Sequence, residues 1–158
     1  EAAAERVSKL QAAPHRGQVH HLQRGIVLVD DSYNSNPLAV EAALVPLRRD
    51  IRRGRRVAVL GQMLELGKRS TALHRQVGFA AAEAGLGLLI TVGEAPARAV
   101  GTAAVEAGLA ADRVIHCHNS EGAANRLVGM LEDGDMVLVK GSRDLRLDYL
   151  VQVLEDHE

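Results

Sequence analysis

The feature that most constrains the fold is a regular alternation between short apolar runs and longer segments with the apolar spacing of a helix. Runs that are apolar at almost every position are typical of strands in a parallel sheet whose two faces are both covered by helices. Each run is followed by a segment long enough to cross over to the next parallel strand. The predicted strands are residues 26–29, 57–60, 88–92, 114–117 and 136–139.

The predicted architecture is α/β: an open, Rossmann-like, mostly parallel sheet of about six strands with helices on both faces. A strand-like stretch at residues 18–23 is expected to add an edge strand in a hairpin with the first apolar run. Asn36 and Pro37 suit the cap and the first position of a helix. That helix is predicted to run to about residue 52, with Ile51 on its apolar face.

Composition narrows the possible partners. The formal net charge is −1 and aromatic residues make up 2% of the chain, so neither a basic field nor stacking side chains favour nucleic acid. No apolar run approaches the ~20 residues that span a bilayer, so no membrane insertion is expected. A single cysteine fits a reducing compartment, and the sequence therefore predicts a cytoplasmic protein.

Two polar segments follow predicted strands and should meet at one rim of the sheet, because ligands bind beyond the carboxyl ends of parallel strands. Residues 30–37, Asp-Asp-Ser-Tyr-Asn-Ser-Asn-Pro, carry carboxylates that can accept from ribose hydroxyls. Residues 140–143, Lys-Gly-Ser-Arg, combine two cations and a hydroxyl before a helix, which suits a carboxylate or a phosphate. The alternatives are a capped turn and a solvated loop, respectively.

Other motifs in the chain do not predict chemistry of their own. Gly61 and Gly67 are separated by five residues and Arg69 follows Lys68, so this stretch does not match a Walker phosphate loop, and no other segment supplies one. His116 and His118 are too few ligands for a structural zinc site, so no metal site is predicted. His74 has no partner visible in sequence, which favours a surface or capping role.

Four segments in order, residues 30–37, 59–67, 74–78 and 139–143, together resemble the C-terminal domain of the Mur ligase family. The resemblance covers the chain from His15 onward. It is greatest to the members that add D-alanyl-D-alanine to the UDP-N-acetylmuramoyl tripeptide in peptidoglycan synthesis. Ser35 stands where the family usually has Ala, and Gln62 stands where an acidic residue is common.

The resemblance implies an ATP-dependent ligase, in which ATP phosphorylates the peptide carboxylate and the dipeptide amine then displaces phosphate. It implies that residues 1–14 are the last helix and linker of a central ATPase domain, and that residues 15–158 form the Mur ligase C-terminal domain. That central domain, which would hold most of the Mg²⁺ contacts, and an N-terminal domain that holds the UDP-sugar are absent from this sequence. The fragment alone is therefore expected to be inactive.

The resemblance also implies roles for individual residues. Arg16 resembles the arginine that approaches the ATP phosphates after domain closure, and it is the catalytic candidate. The implied nucleotide-binding residues are Asp30, Asp31, Tyr33, Asn34, Asn36 and Pro37. The implied binding residues for the acceptor dipeptide are Lys140, Gly141, Ser142 and Arg143, with the 61–67 loop as a further candidate.

Two alternative functions stay open. One is the same domain in another Mur ligase or in a folylpolyglutamate-type ligase, against which the Lys-Gly-Ser-Arg and Met-Leu-Glu-Leu segments argue. The other is a nucleotide-binding module without catalysis, which the missing phosphate loop fits.

Overall fold

The computed structural model describes residues 13–157 and shows a six-stranded sheet with helices on both faces, which confirms the predicted architecture. The strands are β1 (Gln18–His21), β2 (Val27–Asp31), β3 (Arg56–Gly61), β4 (Leu88–Val92), β5 (Val114–Cys117) and β6 (Met136–Lys140). The main helices are α1 (Pro37–Arg49), α2 (Ser70–Glu83), α3 (Ala95–Glu106), α4 (Ser120–Val128) and α5 (Leu147–Asp156). The predicted helix within residues 1–14 falls almost entirely outside the described residues. No described helix is long and apolar enough to cross a membrane.

The order of strands across the sheet is β1-β2-β6-β3-β4-β5. The predicted edge strand is confirmed, because β1 pairs antiparallel with β2 and all other neighbours are parallel. The last strand, β6, lies between β2 and β3. Asp31 at the end of β2 is in register with Lys140 of β6, which is also in register with Leu60 of β3. The loops that follow these three strands are therefore neighbours at the carboxyl edge.

Each face of the sheet carries its own apolar core. Along β3, Val57 and Val59 point into a cluster with residues of α4 and α5, whereas Ala58 and Leu60 join a cluster with α1, α2 and α3. All four of these side chains are at most 2% exposed. Burial on both faces explains why the strands are continuously apolar rather than alternating.

The first helix begins as predicted but ends early. Asn36 Oδ1 accepts a hydrogen bond from Ala39 N at 2.9 Å, and Pro37 occupies the first helical position. The helix ends at Arg49, and Asp50 then binds both the backbone and the guanidinium of Arg52. The chain leaves the helix at this turn, so Ile51 is 97% exposed and its predicted place on the apolar face is wrong.

The amino edge of the sheet is closed by a buried ion pair. Asp135 is fully buried and accepts hydrogen bonds from Arg55 Nη2 at 2.9 Å and from Glu132 N at 2.9 Å. This pairing raises the pKa of the Arg55 guanidinium, chiefly through its hydrogen bond to Asp135. A buried carboxylate is stable only when its hydrogen bonds are satisfied in this way. The ion pair links the start of β6 to the start of β3. The predicted site residues lie at the opposite, carboxyl edge of the sheet.

Candidate functional site

The two polar segments meet through one lysine at the carboxyl edge of the sheet. Lys140 is 3% exposed, and its Nζ donates to Asp31 Oδ2 at 2.7 Å and to the carbonyl oxygen of Asn34 at 3.0 Å. A lysine so deeply buried needs a charged partner, and Asp31 provides it. The structure therefore brings the predicted nucleotide and acceptor segments together. It also directs the ammonium of Lys140 to groups of this chain.

The polar residues of the 30–37 segment form a hydrogen-bonded turn. Asp30 is 1% exposed, and its Oδ1 accepts from both the backbone N and the hydroxyl of Ser32. Its Oδ2 lies 2.6 Å from His15 Nδ1. Asn34 Oδ1 accepts from Ser35 N at 2.8 Å, just as Asn36 Oδ1 caps α1. The capped-turn alternative thus accounts for these three side-chain acceptors, whereas Asp31 lies at the surface of a cleft.

Tyr33 connects the three groups of predicted site residues. The Cζ atom of Arg16 lies 4.2 Å from the centre of the Tyr33 ring, and that of Arg143 lies 5.7 Å from it. Both distances are within the range of a cation–π interaction. Tyr33 N also donates to the carbonyl oxygen of His15 at 3.1 Å. The catalytic candidate and one residue from each polar segment therefore form a single cluster.

Two clefts share Tyr33 as part of their walls. The first, which we call the nucleotide cleft after the predicted nucleotide-binding residues in its wall, has a volume of about 370 Å³. It is lined by Arg16, Gly17, Asp31, Tyr33, Asn34, Asn36, Ala39 and Lys140. The second, which we call the arginine cleft, has a volume of about 310 Å³ and is lined by His15, Ser32, Tyr33, Arg143, Arg146 and Asp148. Of the predicted nucleotide-binding residues, Asp30 and Pro37 line neither cleft. Arg146 and Asp148 were not predicted from the sequence.

Gly141 and Ser142 lie beneath the surface. A Cβ atom on Gly141 would be 2.5 Å from Leu147 Cδ1 and 3.3 Å from the Cα of Gly61. The absence of a side chain at Gly141 therefore lets the ends of β3 and β6 pack against α5. Ser142 is 6% exposed, so Arg143 is the exposed member of the four-residue segment.

His74 has a structural role, and its predicted surface position is wrong. It is fully buried, and its Nε2 accepts from Met63 N at 2.9 Å while its Nδ1 lies 2.7 Å from the carbonyl oxygen of Ser70. These partners fix the Nδ1-protonated tautomer and attach the 61–67 loop to α2. Gln62 Oε1 accepts from Glu94 N at 2.8 Å. The 61–67 loop lines neither cleft. The sequence feature that could have indicated the structural role of His74 is its position one helical turn after Ser70.

The buried His74 predicts a dependence of stability on pH. Desolvation by burial lowers the pKa of His74 below its ordinary value of 6.5. The unfolded chain therefore binds a proton that the folded chain does not. Stability is fully present above about pH 6.5 and is lost as the pH falls below it, by up to about 1.4 kcal/mol per pH unit. Urea denaturation between about pH 5 and pH 7.5 should show this slope, and His74→Gln should flatten it.

The control for this experiment is His116→Gln, because burial also lowers the pKa of the half-buried His116. We expect the slope lost in His74→Gln to exceed the slope lost in His116→Gln, since His74 is the more deeply buried. An unchanged slope in His74→Gln would contradict the assignment.

No metal site is formed by the part of the chain that the structure describes. No three His, Cys, Asp or Glu residues there converge on one point. His116 Nδ1 lies 2.9 Å from Thr91 Oγ1, and the His116 and His118 rings are in edge contact at 5.4 Å. The buried Cys117 has a raised pKa because of desolvation, which disfavours the thiolate that binds metals.

Comparison with known families places this sheet and its rim in one class of enzyme. A family model described as Mur ligase, glutamate ligase domain, matches residues 15–143. The matched range includes Arg16, the 30–37 turn, Lys140 and Arg143. The chain therefore belongs to the Mur ligase family, as its C-terminal domain.

Two relatives within the family have the same name. The UDP-N-acetylmuramoyl-tripeptide–D-alanyl-D-alanine ligase of Escherichia coli (strain K12) is 33% identical over 153 residues, covering 96% of this chain and 32% of the relative. The ligase of the same name from Mycobacterium tuberculosis (strain CDC 1551 / Oshkosh) is 32% identical over 165 residues, covering 92% of this chain and 32% of the relative. The chain thus spans about a third of the length of these relatives.

Solved structures agree with the sequence comparison. A MurF ligase from Thermotoga maritima, in complex with ADP, is 27% identical with a TM-score of 0.76 and covers 94% of this chain and 32% of that one. MurF from Acinetobacter baumannii is 27% identical with a TM-score of 0.80 and covers 96% of this chain and 33% of that one.

Proposed function

We propose that this chain is the C-terminal domain of an ATP-dependent ligase that joins D-alanyl-D-alanine to the UDP-N-acetylmuramoyl tripeptide. The observation that carries the proposal is the cluster in which Tyr33 contacts both Arg16 and Arg143, next to the ion pair of Lys140 with Asp31. This arrangement places two clefts side by side at the carboxyl edge of the sheet. The shared name of the relatives supports the same substrates.

The nucleotide cleft offers groups that suit ATP. Arg16 provides a guanidinium for phosphate oxygens, and its stacking on Tyr33 limits the freedom of that side chain. Lys140 uses Asp31 Oδ2, so Asp31 Oδ1 is the oxygen left to accept from a ribose hydroxyl. Asn34 and Asn36 use their oxygens within the turn, which leaves their Nδ2 donors for the ligand. The complex of the Thermotoga maritima relative with ADP supports a ligase that uses an adenine nucleotide.

The reaction we propose proceeds through an acyl phosphate. ATP transfers a phosphoryl group to the terminal carboxylate of the tripeptide, and the amine nitrogen of the dipeptide then attacks the acyl carbon. A C–N bond forms, the C–O bond to phosphate breaks, and the nitrogen loses a proton. Closure of this domain onto the rest of the ligase would exclude water, which would otherwise hydrolyse the acyl phosphate. We propose that Mg²⁺ is held mainly by the central domain.

The isolated chain is expected to show no ATP hydrolysis and only weak affinity for ATP or D-alanyl-D-alanine. The reason is that it supplies one side of each substrate site and no phosphate loop. The full-length ligase should release phosphate and form the UDP-N-acetylmuramoyl pentapeptide, measured by phosphate assay and mass spectrometry. Robust turnover by the isolated chain would refute the division of labour. A full-length protein that accepts a single amino acid such as glutamate instead of the dipeptide would support one of the other ligases.

A further inference from the structure

Three charged side chains of the arginine cleft have no charged partner. Arg143 and Arg146 are exposed and Asp148 is half-buried, and all three line the same cleft. Within residues 13–157, none of them takes part in an ion pair or a side-chain hydrogen bond with another residue. The ion pairs of that region lie elsewhere. The cleft therefore presents two positive charges and one negative charge to a ligand.

The mixture of charges selects among ligands. A pocket with two guanidinium groups alone would suit a phosphate, but the carboxylate of Asp148 repels a group that is negative throughout. A ligand with a carboxylate at one end and an ammonium at the other satisfies both signs of charge. A volume of about 310 Å³ lies within the range of small-molecule sites, so a dipeptide fits the scale of the cleft.

The local structure holds these charges on a short, ordered stretch. Arg146 has φ +52° and ψ +44°, the left-handed conformation that residues other than glycine rarely adopt. Asp148 follows in the first turn of α5, where the helix dipole favours a negative charge. The buried side chains of Leu147 and Leu150 anchor this turn in the core.

We propose that Arg143, Arg146 and Asp148 recognise the acceptor dipeptide as a zwitterion. The two guanidinium groups bind its carboxylate, and Asp148 binds its ammonium group. Asp148 thereby positions the nitrogen, which attacks the acyl phosphate after it has lost a proton to solvent. This inference rests on the proposed function and adds Arg146 and Asp148 to the acceptor site. Lys140, whose donors are directed to Asp31 and Asn34, acts as a positioning residue for the rim rather than as a ligand of the dipeptide.

The test for the carboxylate contact uses the full-length ligase and two acceptors. Arg146→Gln should raise the KM for D-alanyl-D-alanine about 10- to 100-fold, the effect of losing a charge-assisted hydrogen bond. The KM for D-alanyl-D-alaninamide, which lacks the carboxylate, should change far less, and the KM for ATP should stay the same. The matched control is Arg126→Gln on the exposed side of α4, which should leave all three values unchanged.

The test for the amine contact uses competition. Asp148→Asn should weaken the binding of D-alanyl-D-alanine about 10-fold or more. N-acetyl-D-alanyl-D-alanine has no positive charge, so the same substitution should leave its inhibition constant as a competitive inhibitor unchanged. Thermal unfolding of each variant separates these effects from a loss of folding.

The outcomes distinguish the two proposals. If the wild-type ligase joins D-alanyl-D-alanine but Arg146→Gln affects both acceptors equally, the zwitterion site is wrong and the proposed function stands. The same conclusion follows if Asp148→Asn weakens the acetylated and free dipeptides alike. If the wild-type enzyme does not use D-alanyl-D-alanine, the proposed function fails and the zwitterion site fails with it.

Discussion

Replacing Lys140 by Met is expected to lower the free energy of unfolding by about 3 kcal/mol. The substitution keeps an unbranched side chain one atom shorter than lysine but removes the ammonium that binds Asp31 Oδ2 and the carbonyl oxygen of Asn34. Because Lys140 is 3% exposed, water cannot readily take its place as a donor. Urea denaturation of the domain measures this loss of stability. The m-value, which is the slope of the unfolding free energy against urea concentration, should stay constant.

The matched control is Lys68→Met, since Lys68 is exposed and should contribute less than about 0.5 kcal/mol. A double variant with Asp31→Asn should recover part of the stability lost in Lys140→Met, because it removes the uncompensated carboxylate. If Lys140→Met were no less stable than Lys68→Met, the ion pair would not be what holds the rim together.

Replacing Arg16 by Ala is expected to lower the kcat of the full-length ligase about 100-fold or more. An effect of this size is typical when a preorganised group that stabilises the charge on a transferred phosphoryl group is removed. The KM for D-alanyl-D-alanine should change little, because Arg16 lines the nucleotide cleft and not the arginine cleft. Arg16→Lys should recover only part of the activity, since an ammonium lacks the planar fork that stacks on Tyr33. Steady-state kinetics with each substrate varied in turn measures these values.

The control for this prediction is Arg113→Ala, an exposed arginine outside both clefts. Because Arg16 is exposed, its loss should leave the unfolding transition unchanged. A kcat within about two-fold of the wild type would remove Arg16 from the catalytic groups.

The sequence predicted the elements whose signals are local. Continuous apolar runs located the five parallel strands, and the Asn36-Pro37 pair located the start of α1, because capping depends on neighbouring residues. The end of the same helix was misplaced. The turn made by Asp50 and Arg52 competes with the helix, and the apolar spacing of Ile51 does not reveal that competition.

The partners of buried polar groups could not be predicted in the same way. Arg55 pairs with Asp135, which is far away in the sequence, and Met63 pairs with His74 across a loop. Such contacts depend on the order of the strands and the path of the loop. Lys140 and Gly141 have the residue types of a ligand-binding loop. In the structure, however, Lys140 pairs with Asp31 and Gly141 packs against Leu147. The sequence placed the rim correctly, but it did not show which side chains face inward.

The insertion of β6 between β2 and β3 divides the site along the chain. The residues that line the nucleotide cleft come mainly from the early part, residues 16–39, whereas the unpaired charges of the arginine cleft lie within residues 143–148. Under the proposed function, a few substitutions within residues 143–148 would alter which amine is accepted and would leave the residues of the nucleotide cleft unchanged. Because separate segments line the two clefts, the domain could change its acceptor by single substitutions while its nucleotide contacts are kept.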